Sequence, residues 1–204
     1  THSFTLFPYT TLFRSTFIVQ HRDHGQYQAW TNPYLSNNDI NRLNNEDLTF
    51  VMSSNCRTGN FNFGKGDNDC FAERFMRVEN GAVAIIAASE TSYSFVNDTY
   101  VWGFYDYLWN DFMPDYGNND ISFKYPAFAN VYGKYFLNQA SWLHLSYNKK
   151  VTYNLFNYFG DAFLQLNTEM PKEINISYPK EILTDCSSKK KKKDKDTRVA
   201  FSHN

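Results

Sequence analysis

Three short apolar runs mark the first half of the chain: Thr16–His21 (TFIVQH), Leu48–Ser53 (LTFVMS) and Ala82–Ala88 (AVAIIAA). Each is short, and each is rich in branched or small residues. Continuous runs of this kind are typical of strands covered on both faces. Helical signals lie between them. Ser36-Asn37-Asn38-Asp39 is a start signal, with Ile40 and Leu43 as a short apolar face. Asn68 or Asp69 is expected to cap a helix running through Asn80 that packs through Phe71, Phe75, Met76 and Val78, with Gly81 at its C′ position. Strand, helix, strand, helix, strand predicts a parallel sheet with right-handed crossovers.

The second half is more aromatic. A polar loop is expected over Ser89–Asp98, then a helix over Tyr100–Phe112 with Phe104, Tyr107 and Leu108 on one stripe. That stripe reads as core packing. Asn130–Tyr147 is a further helical pattern, Gly160-Asp161 a turn, and Phe163–Leu166 a last strand. After Pro171, KEINISYP alternates like a strand of an antiparallel sandwich and reads as the start of a second, truncated domain.

Composition sets limits. At 42% hydrophobic and 19% aromatic, 204 residues suffice for one domain with a sizeable core. No apolar run is long enough to span a bilayer. Of 20 basic and 21 acidic side chains, seven and two lie in residues 187–204, leaving 13 and 19 in the body, a net of −6. An acidic body argues against nucleic-acid binding. Cys56, Cys70 and Cys186 are odd in number and irregular in spacing, which suits neither a disulfide framework nor a zinc site.

The two ends stand apart. Thr5–Ser15 (TLFPYTTLFRS) looks like the conceptual translation of a sequencing-adaptor oligonucleotide, so residues 1–15 are set aside and the native sequence is expected to begin near Thr16. Residues 187–204 carry a lysine block and few apolar side chains, and are expected to be a disordered basic tail.

Candidate chemistry sits where strands end. The first run leads into HRDHG and the second into Asn55-Cys56, the two loops leaving one sheet edge. Ligand sites in open α/β sheets form outside the carboxyl ends of the strands. A thiol and an imidazole there are the parts of a cysteine nucleophile system, in which the thiolate attacks an acyl carbon and the imidazole shuttles the proton. His24 abuts Gly25; His21 competes with it from the strand end. The N–H groups of Gly25 and Cys56 are candidate oxyanion donors. A cysteine at a strand end is also a common inert hydrophobe. A metal site at His21 and His24 would have only two ligands.

DHGQYQAW, SSNCRTGNFNF and DCFAERFMRVENGAVAIIAAS, in this order and spacing, resemble the catalytic core of the gingipain-type cysteine peptidases. The shared pieces are His24-Gly25 with Ala29-Trp30, the nucleophile strand followed by Gly59 and Phe61, and Cys70, Phe71, Glu73 and Arg77. YFGDAFLQL resembles the turn that closes the family's catalytic domain, and the segment after Pro171 the start of its immunoglobulin-like domain. The resemblance implies a partial caspase-like α/β/α sandwich over residues 16–168, lacking the N-terminal part of the domain, then an immunoglobulin-like start over residues 169–186. It also implies a secreted or cell-surface endopeptidase that acts on protein or peptide substrates; no cofactor and no catalytic metal are expected, and calcium binding is left open by the sequence. Cys56 would be the nucleophile, His24 the base and acid, and Gly25 an oxyanion donor. Trp30, Ser92, Tyr93, Ser94 and Phe95 would contact substrate, and Asp98 would be the acid for a basic P1 residue. A loop cap or solvated charge is the other reading of Asp98. Asp23 stands where the family has a glycine, so the local turn is expected to differ. A sortase-like transpeptidase of a bacterial secretion system and a non-catalytic surface-binding module are the competing readings.

Overall fold

The computed structural model describes residues 16–64, 68–113, 123–141 and 146–169, which belong to the first of two compact units, residues 1–169. Residues 1–15, the alternating stretch after Pro171 and the lysine-rich tail lie outside the described residues.

The chain runs β1 (Ile18–His21), β2 (Gly25–Gln26), β3 (Ala29–Thr31), β4 (Tyr34–Ser36), α1 (Asn37–Ile40), β5 (Thr49–Ser53), α2 (Phe71–Arg77) and β6 (Ala82–Ala88), then α3 (Ser94–Leu108), α4 (Pro126–Gln139), α5 (Ser146–Leu155) and β7 (Phe156–Phe159). The main sheet has the order β1-β5-β6-β7. β1, β5 and β6 are parallel, with His21, Ser53 and Ala87 in register at their carboxyl ends. All three following loops therefore leave one edge. Every residue of β5 is buried, because helices cover both faces. Phe50, Met52, Ile86 and Ala88 pack against α3, α4 and α5; Val19, Val51, Ile85 and Ala87 pack against α1 and α2. This is the expected α/β/α sandwich with a mainly parallel sheet.

Several boundaries differ from the sequence expectation. Cys70, not Asn68 or Asp69, occupies the N-cap of α2; its N–H donates to Glu73 Oε2 at 2.9 Å, which satisfies one orphan donor of the first turn. Asp69 is buried instead and pairs with Arg74 (3.2 Å) and Arg77 (3.3 Å). That helix stops at Arg77, with Val78 extended, so Gly81 is not its C′ residue. The polar loop is shorter than expected, since α3 opens at Ser94 and ends at Leu108. The pattern at Asn130–Tyr147 spans two helices: α4 opens with Pro126 in its first turn, and Ala140 turns out at ψ 132°, its carbonyl taken by Lys149 Nζ at 2.7 Å. The last strand lies before Gly160, not after it. Phe156–Phe159 pairs antiparallel with β6, Phe156 stacks on Tyr100 at 4.5 Å, and Gly160 turns the chain at φ 147°, a conformation that favours glycine. The small antiparallel sheet β2-β3-β4 was not expected from sequence; its strands are two or three residues long, and β3 and β4 are joined by the Asn32-Pro33 turn.

α3 and α4 cross where both carry glycine. A Cβ on Gly133 would lie 2.6 Å from the Tyr100 carbonyl oxygen, and one on Gly103 would strike Phe136. The close approach lets the Tyr100 hydroxyl donate to Asn130 Oδ1 at 2.5 Å in the core. Gly133→Val is expected to destabilise the fold by about 2–3 kcal/mol through overpacking. Tyr135→Ala, at an exposed position of the same helix, should stay within about 0.5 kcal/mol. Urea unfolding of the two variants beside the parent checks both.

Candidate active site

The site is built at the carboxyl edge of β1, β5 and β6. β5 ends in Ser53, and the chain turns through Ser54 and Asn55 to Cys56. Polar side chains under this turn form a closed network. Asn55 Nδ2 donates to His21 Nδ1 at 2.7 Å. The Thr58 hydroxyl donates to Asn55 Oδ1 at 2.8 Å. Ser53 Oγ lies 3.1 Å from Asn55 Oδ1 and 2.9 Å from Thr58 Oγ1, and takes the Trp30 indole N–H at 2.8 Å. His21 Nε2 donates to the Asn32 carbonyl at 3.0 Å. All these side chains are buried. The network therefore stiffens the turn without leaving these groups unpaired in the interior.

Both ring nitrogens of His21 are engaged, and its ring stacks on Trp30 at 4.4 Å and 6°. Burial lowers its pKa below the usual histidine value. His21 is a neutral structural residue with no nitrogen left for a metal or a thiol. His24 is the opposite case. Its side chain is 82% exposed, and Asp23 Oδ1 takes its backbone N–H at 2.6 Å and lies 3.8 Å from its Nε2.

The histidine turn meets the nucleophile turn through Gly25. A Cβ there would collide with the Asn55 amide and lie 2.7 Å from the Cys56 carbonyl oxygen. Only a glycine allows this contact without displacing one of the turns. His24 and Cys56 are thus held side by side at the main-chain level, with no hydrogen bond between their side chains. Catalytic hydrogen bonds are often loose before substrate arrives.

Cys56 is half-buried and its sulfur faces Ser92, whose N–H donates to Sγ at 3.4 Å. The same sulfur also lies 3.7 Å from the Ser92 carbonyl oxygen. Asn97 fixes Ser92 by donating to its Oγ at 2.7 Å. Cys70 is fully buried, and burial pushes its thiol up to about 12. Its thiolate is disfavoured there, whereas Cys56 is only half-buried.

The residue after Cys56 is Arg57, with φ at 61°, an uncommon left-handed conformation outside glycine. Its N–H donates to the Glu90 carbonyl at 3.2 Å, its guanidinium lies 3.4 Å from the Glu90 carboxylate, and it sits 5.4 Å over the Tyr27 ring. Those contacts hold this conformation at the residue that follows Cys56.

The sequence profile of peptidase family C25 matches residues 10–167. The chain belongs to peptidase family C25. Solved structures share the fold of this C25 chain. The crystal structure of the Arg specific cysteine proteinase gingipain R (RgpB) aligns with a TM-score of 0.69 at 22% identity, covering 85% of this chain and 39% of that one. A structure described as a protease aligns at 0.64 and 21% identity, covering 84% and 40%. The complex of Porphyromonas gingivalis RgpB pro- and mature domains aligns at 0.65 and 20% identity, covering 80% and 37%. The C25 chain thus spans about two fifths of the length of these proteins. No curated protein matches the sequence.

Of the other expected substrate contacts, the C25 chain presents Ser92, Tyr93, Ser94 and Phe95 at the edge beside Cys56, with Phe95 77% exposed. Ser94 and Phe95 lie in the first turn of α3 rather than in a loop. Trp30 is different: at 2% exposure it is a core residue under the site and has no surface to offer a substrate. Asp98 is engaged by Arg22, whose Nε and Nη2 each donate to one of its carboxylate oxygens at 2.7 Å. Asn55, Thr58, Arg57 and Arg22 are the site residues missed in the sequence; the one signal was the polar Ser-Ser-Asn closing an apolar strand.

His21 gives the site a pH signature. Its folded pKa lies below its unfolded value of about 6.5, so the unfolded chain binds the extra proton as the pH falls. The stability His21 contributes is complete above about pH 6.5 and is lost below it, with a slope of at most about 1.4 kcal/mol per pH unit. Denaturant titrations from pH 7.5 to 5 should show that loss in the parent and a flatter profile in His21→Asn.

Proposed function

We propose that this chain carries the nucleophile and base of a cysteine endopeptidase. Cys56 attacks the scissile carbonyl, His24 takes the thiol proton and delivers it to the leaving amine, and water then releases the acyl-enzyme. The N–H groups of Cys56 and Gly25 receive the developing oxyanion. The observation that carries this reading is the glycine-sized contact of Gly25 with Asn55 and Cys56, which sets the base-bearing turn against the thiol-bearing one. Membership of peptidase family C25 supports it. The substrate is a protein or peptide whose P1 side chain lies along Ser92–Phe95. The protein acts outside the cell or at its surface, in keeping with the family; among the described residues no helix is long and apolar enough to cross a membrane.

A basic P1 residue is the preferred substrate in this reading, with Asp98 as its carboxylate. Arg22 already holds that carboxylate, so a P1 Lys or Arg has to displace it. An exposed ion pair is worth only about 0–1 kcal/mol, which makes the exchange feasible.

In the full-length gene product, Cys56→Ala is expected to abolish cleavage of a peptide library, and His24→Ala to lower kcat by about 10²–10⁴-fold, both with the circular dichroism of the parent. Iodoacetamide should label Cys56 and spare Cys70. Cleavage that survives Cys56→Ala would sink the reading. Arg22→Ala frees Asp98 and should raise kcat/KM for Lys and Arg at P1 relative to neutral residues. An unchanged ratio would remove Asp98 from the P1 site and leave Cys56 untouched.

A further inference from the structure

Beside the hairpin of β2 and β3 lies a groove of about 400 Å³ that the catalytic reading does not use. Its walls include Gln26, Tyr27, Gln28, Asn38, Asn41 and Phe63. We propose that this groove binds the part of the substrate downstream of the scissile bond, and that it selects uncharged side chains able to hydrogen-bond. The inference rests on the cysteine-peptidase reading.

Placement argues for it first. The imidazole that takes the thiol proton must hand it to the leaving nitrogen. The leaving peptide therefore passes on the His24 side of Cys56. In the order β1-β5-β6, the loop after β6 with Ser92 lies on the other side of the β5 end. Directly after His24 the chain enters β2, and the tip of that hairpin, Tyr27-Gln28, is a wall of the groove. A second link runs from the nucleophile turn. Arg57, next to Cys56, lies over the Tyr27 ring at 5.4 Å, and Tyr27 stacks on Phe63 at 4.2 Å. Thiol and groove are joined by the chain on one side and by this stack on the other.

The lining argues for the ligand class. Each carboxamide offers an acceptor and two donors, the complement of a peptide main chain and of Ser, Thr, Asn or Gln side chains. The charged wall residue, Arg74, is held 3.2 Å from the buried Asp69 carboxylate, which it shares with Arg77, and the remaining wall residues are uncharged. The volume is within the usual range for ligand clefts. Gln26, Asn38 and Asn41 are exposed and available.

Two substrates with the same acyl side test the proposal in the full-length gene product. One ends in aminomethylcoumarin; the other continues as Ser-Asn-Thr-Gln after the scissile bond. The readout is the ratio of their kcat/KM values, so that any general effect of a substitution divides out. The parent should favour the extended peptide about tenfold, the worth of one or two neutral hydrogen bonds. Asn38→Ala/Asn41→Ala, and separately Gln26→Ala, should bring that preference to about twofold. An equal ratio in parent and variants overturns the groove assignment while Cys56-dependent turnover stands. A parent that prefers Asp- or Lys-rich extensions overturns the ligand class. Absence of Cys56-dependent turnover of the coumarin substrate overturns the peptidase reading, and the groove assignment with it.

Discussion

The contact between Gly25 and the Asn55-Cys56 turn constrains everything at this sheet edge. The two turns leave neighbouring parallel strands whose ends are in register, about 4.8 Å apart. At that separation a side chain between the turns forces one away, and the imidazole goes with it. The absence of a Cβ at residue 25 is thus what lets the histidine turn lie against the cysteine turn. β1 and β5 set the spacing, and the helices on both faces keep the strands flat against each other.

A contact so tight needs turns that do not drift. The network of His21, Asn55, Ser53, Thr58 and Trp30 supplies that rigidity from below. Cavity-free packing alone would fix the strands, but not the direction in which the last residues leave them. Directional hydrogen bonds in a low-dielectric interior do that, and they are costly to leave unmade. Two histidines close in sequence consequently have different physics. Stacked and bonded at both nitrogens, His21 is held neutral as part of the scaffold. His24, three residues on, stands 82% exposed to solvent.

The two cysteines of the described residues divide in the same way. Cys70 starts α2 in full burial, where its thiolate is penalised. Cys56 lies at the rim, where an N–H reaches its sulfur and a residue at positive φ turns the chain away from it. Burial, rather than residue type, separates the two thiols.

Much of this was legible in the chain. The runs at Thr16–His21, Leu48–Ser53 and Ala82–Ala88 are strands because continuous branched and small residues fit a doubly covered sheet. Their order made the sheet parallel and put Cys56 and His24 at its carboxyl edge. Glycine at position 25 was visible beside the histidine. Other features are not properties of local sequence. Trp30 looks like a substrate contact until packing puts it under His21. Asp98 looks like a free acid until Arg22, 76 residues away, takes both its oxygens. The aromatic segment 156–166 suits a strand on either side of Gly160, and Tyr100 stacking on Phe156 accompanies the pairing of Phe156–Phe159 with β6. Sequence by itself determined the three parallel strands β1, β5 and β6 and the residues brought to their carboxyl ends. Which side chains reach solvent and which are held by partners was decided by tertiary structure, because burial and ion pairing depend on residues far apart in the chain.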